Sequence, residues 1–491
     1  MKTERQTSYT RPFLGFLVAI TLLRGWFAAI VELSPDEAYY WTWSTSLAWG
    51  YYDHGPLVAW LIRLGTALFG DSELGVRFGS LLCSCLTSWM VFVLARNLTS
   101  NERHSFWIAV LMSISPLLSV GAVVHTPDAA LVAAWSLAAW FGLLVFRTDK
   151  MTAWIGMGAC VGLAILSKMT GLLFFAGMGL FLITCKAGRT RLRSPGLAVA
   201  LATATCVALP SLVWNAVHQG GAFAFQFKHA TAGLSLSFSG LIEFLGGQAG
   251  VVSPLLWLGL VVCLLTGWRR AIRFGRPEAY MFWCLSAPLL LGFALLALFH
   301  KVEANWPATV YITALPLAAW AWTGGLFYSR RMKTLVAISG SIGLIFTLVI
   351  HIQTLAPFLP IQAEKDPTAR LRGWKDLAQL ADQEARALDV VLASEGYGPV
   401  SQLRFYTGRP VHYERSATRR SQYDLWDIKE PSGGVLFLLP RTSGALPDIC
   451  ARAKERWLLT KDAKSANSNR TSDYLWWVCT DIEPAYEDND G

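Results

Sequence analysis

Few residues in this chain can do acid–base or phosphate chemistry. Outside the C-terminal quarter, most of them fall in five short polar interruptions of long apolar runs. The first interruption reads SPDEAYYWTW and continues through WGYYDHGPLVAW, which supplies Asp36, Glu37, Asp53 and His54. The second, VVHTPDAAL, holds His125 and Asp128. The third, ILSKMTGLL, holds Lys168. The fourth contains FQFKHATAG, with Lys228 and His229, and later Glu243. The fifth, FHKVEANWPA, holds Lys301, Glu303 and Asn305. A placed carboxylate or imidazole can take a proton from a hydroxyl. The same groups can hold a divalent cation, and lysines neutralise phosphate. The set suits an anionic, phosphorylated substrate. Blander readings stand beside this one. An acid after Ser-Pro is a helix-start signal, so Asp36 and Glu37 could serve only as caps. Thr126 or Asp128 could cap the helix that follows, and Lys168 could be a snorkelling anchor.

Positioning these loops falls to the apolar runs between them. The 491 residues are 54% hydrophobic and only 15% charged, with mean hydropathy +0.40. Soluble domains carry about 25% charged residues. That difference excludes an ordinary soluble enzyme, and the high hydrophobicity excludes a disordered chain. A membrane span needs about 20 apolar residues. Eleven stretches qualify, near 13–31, 76–95, 106–124, 129–146, 153–167, 171–185, 196–214, 250–267, 279–299, 307–327 and 335–356. Residues 56–69 read as an amphipathic helix lying in the interface, anchored by Trp60 and Arg63. The expected architecture is therefore a polytopic α-helical membrane domain, 1–356, followed by a small α/β domain, 357–491. In the latter a helix is expected over 371–387 and strands over 390–393, 435–439 and 474–478.

Charge orients the chain. Residues 1–360 hold 24 Lys and Arg against 13 Asp and Glu, and the remainder holds 18 against 20. The basic excess belongs to the apolar part, as expected of basic cytoplasmic loops and not of a nucleic-acid-binding surface. With the N-terminus inside, 18 of the 24 basic residues fall on the cytoplasmic side and nine of the 13 acids on the other. The C-terminal domain then lies outside, where Cys450 and Cys479 could pair. No Gly-rich phosphate loop, CxxC pair or HExxH is present. A transporter would need ionisable or helix-breaking residues near the bilayer midplane and an inverted repeat. Only Arg24 lies well inside a span, with an outer-loop acid or the interface as its expected partner. A non-catalytic scaffold would have no need of acids and histidines gathered at one face.

The segments SPDEAYYWTW, GYYDHGPLVAWLIRLGTALFGDSELGVR, HTPDAAL, SKMTG and HKVEANWPA, in that order, resemble bacterial membrane-embedded glycosyltransferases. The family is the protein-mannosyltransferase and aminoarabinose (lipid A) transferase superfamily, like glycosyltransferase family 39, with the fold called GT-C. The resemblance spans roughly residues 10–330. It implies an inverting enzyme of the bacterial inner membrane. The implied donor is one sugar on a polyprenyl phosphate, and the implied acceptor is lipid A or another envelope molecule, met at the periplasmic face. By motif position, Asp36 is the implied catalytic base, and Asp128 the second loop acid that orients the acceptor or the base. Asp53 and His54 stand where aminoarabinose transferases have Glu-Lys before Pro-Pro. This implies a metal role for Asp53 and puts His54 in place of a phosphate-contacting lysine. His229 matches a metal-site histidine. The substrate-binding set expected with them is Glu37, Tyr39, Tyr52, His54, His125, Lys168, Lys228, Lys301, Glu303 and Asn305, with the loop aromatics either stacking on sugar or forming an interfacial belt. A divalent metal is the expected cofactor, and no nucleotide is expected.

Overall fold

The computed structural model describes residues 8–218, 236–323, 330–362, 365–416, 419–426, 431, 433–441, 448–459 and 473–482. By internal contacts the chain forms two compact units. One comprises Met1–Ala29, Ala48–Gly65 and Arg77–Ile352, and the other Ile30–Leu47, Thr66–Val76 and Gln353–Gly491.

The first unit is helical, as a hydrocarbon environment demands, because a helix satisfies its own backbone polar groups. Among the described residues seven helices are long and apolar enough to cross a membrane: Thr10–Ile30, Glu73–Thr99, Pro127–Thr148, Gly196–Val217, Pro254–Arg273, Pro277–Leu296 and Lys333–Leu355. Met169–Thr184 with Lys186–Arg193 passes only as a pair bent by 103°. The remaining expected spans take other forms. The 153–167 run is the shorter helix Met151–Ser167, and the 307–327 run includes the apolar helix Ala308–Trp322. The 106–124 run is broken into Glu102–Ser113 and Pro116–Gly121. Pro116 has no N–H to continue the ladder. Phe238–Val252 is a helix that hydropathy alone did not mark.

The break at Pro116 explains Arg24, which pairs with no loop acid among the described residues. Its guanidinium is buried and donates to the Ser113 carbonyl at 2.6 Å. The Thr347 hydroxyl donates to the Ile114 carbonyl at 2.7 Å. Side chains from two other helices thus satisfy carbonyls that the interrupted helix leaves over.

Helix Met151–Ser167 packs against both Pro127–Thr148 and Gly196–Val217. The approach to the latter is close. A Cβ on Gly158 would lie 2.3 Å from the Ala200 carbonyl oxygen, and one on Gly162 2.9 Å from that of Ala204. Small residues four apart let membrane helices come together in this way. The contact fixes the helix whose C-terminal end carries Ser167 and Lys168.

In the second unit five strands, β1 Val391–Glu395, β2 His412–Glu414, β3 Val435–Pro440, β4 Ala453–Leu458 and β5 Tyr474–Ile482, form one sheet in the order β2-β1-β3-β5-β4. The β2–β1 and β1–β3 pairs are parallel, and β3–β5 and β5–β4 antiparallel. Helices Trp374–Ala387 and Tyr397–Thr407 pack on it. The expected helix and three strands are present. β2 and β4 escaped the sequence because they are edges. β2 is three residues long, and β4 reads AKERWL, charged where an edge must resist pairing with other chains.

Cys450 and Cys479 form a disulfide across 29 residues, packed with Val435, Phe437 and Ile449. Closing a loop of that length should contribute about 3–4 kcal/mol. We expect Cys479→Ala to lower the denaturation midpoint of this unit accordingly, and wild type to respond equally to reductant. A midpoint unchanged by both would show that the bond does not bear on stability.

Candidate active site

Each unit holds one polar cluster built from residues of the expected site. In the helical unit the centre is Asp128, at the second position of helix Pro127–Thr148. Pro127 suits the first helical position, and an acid in the first turn meets the positive end of the helix dipole. Asp128 Oδ1 accepts from Lys168 Nζ at 2.9 Å, and Oδ2 from Asn305 Nδ2 at 2.6 Å. Both members of the ion pair are largely buried, with side chains 14% and 12% exposed. Lys168 is therefore not a lone snorkelling cation. It sits where helix Met151–Ser167 ends and the one-turn helix Met169–Leu172 begins, in extended backbone that turns the chain. Ser167 Oγ donates to the Pro127 carbonyl at 2.5 Å, tying this turn to the start of the Asp128 helix. The Lys168 ammonium lies 5.9 Å from the Trp306 ring centroid, a cation–π distance.

Asn305 is held from behind. Gln248 Nε2 donates to the Ala304 carbonyl at 3.0 Å, and the Tyr311 hydroxyl donates to Gln248 Oε1 at 2.6 Å. Gln248 and Tyr311 are buried in apolar surroundings. Neither was marked by the sequence, although a glutamine inside FLGGQAGVV is a polar residue that must find partners once buried.

The Asp53-His54 turn belongs to the same unit. A Cβ on Gly55 would lie 2.0 Å from the Leu166 carbonyl oxygen, so glycine alone permits this turn to rest against the end of the helix that leads to Lys168. Asp53 is buried, while Tyr52 and His54 are partly exposed. His125 is fully buried and its Nδ1 accepts from the Ser80 amide at 3.1 Å. It packs in the interior of this unit. Lys301 and Glu303 pair with each other at 3.0 Å, largely exposed. With Gly240, Glu243 and Phe244 they line a hollow of about 170 Å³. Lys228 and His229 lie outside the described residues. Among the described residues no three His, Cys, Asp or Glu side chains gather as a metal site. The ion expected at Asp53 and His229 thus finds no such group among the described residues, and His229 lies outside them.

In the sheet unit the centre is Asp36, at the second position of helix Pro35–Thr45. Ser34 caps this helix, and Glu37 closes a capping box by accepting from the Ser34 amide at 2.9 Å. Glu37 is fully buried in that role. Asp36 is turned away from the cap. Its Oδ1 accepts from the Tyr397 hydroxyl at 3.0 Å and its Oδ2 from Arg370 Nη2 at 3.2 Å. Arg419 Nη1 donates to the Tyr397 hydroxyl at 2.9 Å, and its guanidinium lies 4.7 Å from that ring's centroid. Tyr39 is 1% exposed, its hydroxyl accepts from the Gln422 amide at 2.5 Å, and its ring packs on Tyr397 and Tyr423. It therefore packs in the core of this unit. Arg370, Tyr397 and Arg419 were not marked in sequence, because they lie in the tail more than 330 residues from Asp36.

A helical unit with several spans long and apolar enough to cross a membrane, and a largely buried carboxylate–lysine pair at the start of one of them, is the build of a membrane-embedded protein with a polar site. The comparisons with known proteins agree. Residues 53–214 match the family model described as dolichyl-phosphate-mannose-protein mannosyltransferase. The lipid A galacturonosyltransferase RgtD of Rhizobium johnstonii is 30% identical over 390 residues, 77% of this chain and 78% of that protein. An undecaprenyl phosphate-alpha-4-amino-4-deoxy-L-arabinose arabinosyl transferase of Pseudomonas fluorescens is 29% identical over 286 residues, 55% of this chain and 49% of that one. Crystal structures of ArnT from Cupriavidus metallidurans superpose with TM-scores of 0.68 for the apo state and 0.65 for the form bound to undecaprenyl phosphate. Both are 17% identical and cover 96% and 97% of this chain, and 98% and 100% of theirs, so they share its fold. The chain belongs to the GT-C superfamily of membrane glycosyltransferases, and it is a multi-span glycosyltransferase of that kind.

Proposed function

We propose that the protein moves one sugar from a polyprenyl-phosphate donor to lipid A, or to another part of lipopolysaccharide, at the periplasmic face of the inner membrane, with inversion. The observation that carries this is the relationship to a lipid A galacturonosyltransferase along more than three quarters of both chains. The chemistry fits the residues. The acceptor hydroxyl gives its proton to Asp36, its oxygen forms the new bond to the anomeric carbon, and the bond from that carbon to the phosphate oxygen breaks. The phosphate leaves as an anion, and Lys168, beside the N-terminus of helix Pro127–Thr148, stabilises the charge as it develops. Asp128 and Asn305 hold that lysine and its loop. Lys228 and Lys301 are further phosphate contacts, Tyr52, His54 and Glu303 further contacts to the sugar or acceptor, and a divalent ion held by Asp53 and His229 is part of the same proposal.

The periplasmic orientation is supported by the basic cytoplasmic loops and by the Cys450–Cys479 disulfide, which needs an oxidising compartment. Both cysteines reduced in protein from cells competent for disulfide formation would argue for the opposite orientation. The function is tested by incubating purified protein with lipid A and polyprenyl phosphates carrying galacturonic acid, aminoarabinose or mannose, with products read by mass spectrometry. One sugar added to lipid A is the expected product. Failure of folded protein to transfer from any of these donors would overturn the proposal.

A further inference from the structure

The one-turn helix Pro367–Leu371 is fixed more firmly than a surface turn requires. Asp366 caps it, accepting from the Thr368 amide at 2.9 Å and the Thr368 hydroxyl at 2.7 Å. Gln353 and Arg372 donate to the other Asp366 oxygen at 3.0 and 2.8 Å. Burial alone would raise the Asp366 carboxyl, but the hydrogen bonds from Thr368, Gln353 and Arg372 outweigh it and hold the group down at about 2. The far end of the turn is held as well. The Trp374 indole donates to the Arg370 carbonyl at 3.1 Å. The amides of Trp374 and Lys375, at the start of helix Trp374–Ala387, donate to Glu32 at 2.6 and 3.3 Å. Burial raises the Glu32 carboxyl despite these bonds.

All this scaffolding ends in one outward act: it presents the Arg370 guanidinium to Asp36. The ion pair it makes is exposed, 57% at Arg370 and 34% at Asp36. Pairs of that exposure contribute little to stability, so stability does not explain the effort. Orientation does. Arg370 occupies one oxygen of Asp36, and Tyr397, itself held by Arg419, occupies the other. Each carboxylate oxygen has two lone-pair directions. The two donors therefore fix the plane of the group, and its open face still has lone pairs for an incoming hydroxyl. We infer that Arg370 and Tyr397 are positioning residues for the Asp36 carboxylate, supplied by the C-terminal segment of the chain. The inference rests on the assignment of Asp36 as base in the proposed function.

The experiment is steady-state kinetics of the full-length protein with the donor identified above. Losing one hydrogen bond to a charged group in the reacting arrangement corresponds to a roughly 10- to 100-fold effect. Arg370→Gln is expected to lower kcat by about that factor and to leave KM for the lipid donor within about twofold. Arg370→Lys should recover most of the loss, since a single N–O contact does not need the guanidinium fork. Tyr397→Phe should lower kcat by about 10-fold. In an Asp36→Asn background, Arg370→Gln should add nothing further, because it acts through Asp36. Folded Arg370→Gln with kcat within twofold of wild type would overturn the inference. So would a loss lying wholly in KM, or full additivity in the double variant. If Arg370→Gln does not fold, Tyr397→Phe decides, and wild-type kcat in that variant overturns the inference. Activity surviving Asp36→Asn would instead strike the base assignment itself.

Discussion

Asp36→Asn is expected to lower kcat by about 1,000-fold while the protein keeps its melting point and its disulfide. The magnitude is that of removing a general base, which contributes between about 100- and 10,000-fold. The amide preserves the shape of the side chain and can still accept from Tyr397 and Arg370 through its oxygen. It has no lone pair basic enough to take the acceptor proton. The fold should tolerate the change because Asp36 is not the cap. Ser34 and Glu37 perform that task, and the buried aromatic face of helix Pro35–Thr45, from Tyr39 to Trp43, is untouched. Turnover and thermal unfolding measured on one preparation check both halves. A variant retaining more than a tenth of wild-type kcat would remove Asp36 from the base role.

The second large effect is expected at Asp128, and it should divide stability from activity. The Asp128–Lys168 pair is largely buried. Breaking such a pair from one side leaves an uncompensated charge and costs about 3–5 kcal/mol. Asp128→Asn should therefore lower both melting temperature and turnover. Lys168→Met should lower turnover by about 100-fold or more, since a cation aimed at a developing phosphate acts mainly in the transition state. The double variant, Asp128→Asn with Lys168→Met, carries no buried charge at this position. It should recover most of the lost stability and none of the activity. Recovery of activity would mean that the pair is structural cement and that the phosphate is met elsewhere.

Much of the fold was legible because lipid leaves a chain few choices. An uninterrupted apolar run such as 129–146 has to be a helix, and Pro127–Thr148 is one. What hydropathy could not show was interruption within a run. Ser115-Pro116 is embedded in residues as apolar as their neighbours, and only the missing proline N–H reveals the break. The site was legible to the same extent. The polar loops named Asp36, Asp128, Lys168 and Asn305, because ionisable groups beside lipid are costly and seldom idle. The partnership of Lys168 with Asp128 was not visible, since the two are 40 residues apart on different helices. Glu37, Tyr39 and His125 were drawn into the site by the company they keep in sequence. In the structure all three are buried, Glu37 and Tyr39 on helix Pro35–Thr45 and His125 in the loop before helix Pro127–Thr148. Arg370 was invisible among the 18 basic residues of the tail.

The sheet unit is assembled from pieces made at opposite ends of synthesis. Glu32, at the close of the first span, accepts from the Trp374 amide, and the Leu33 carbonyl accepts from Gln402 at 2.6 Å. The central strand of the antiparallel half, β5, is the last described segment to leave the ribosome. Helix Pro35–Thr45, which carries Asp36, therefore waits, through the insertion of every later helix, for the residues that contact Asp36. Contacts of such sequence separation are slow to form. A nascent chain, or one cut short before its tail, would hold Asp36 without the groups that orient it. The contacts to Asp36 therefore form only after the C-terminal segment that carries Arg370 and Tyr397 has been synthesised.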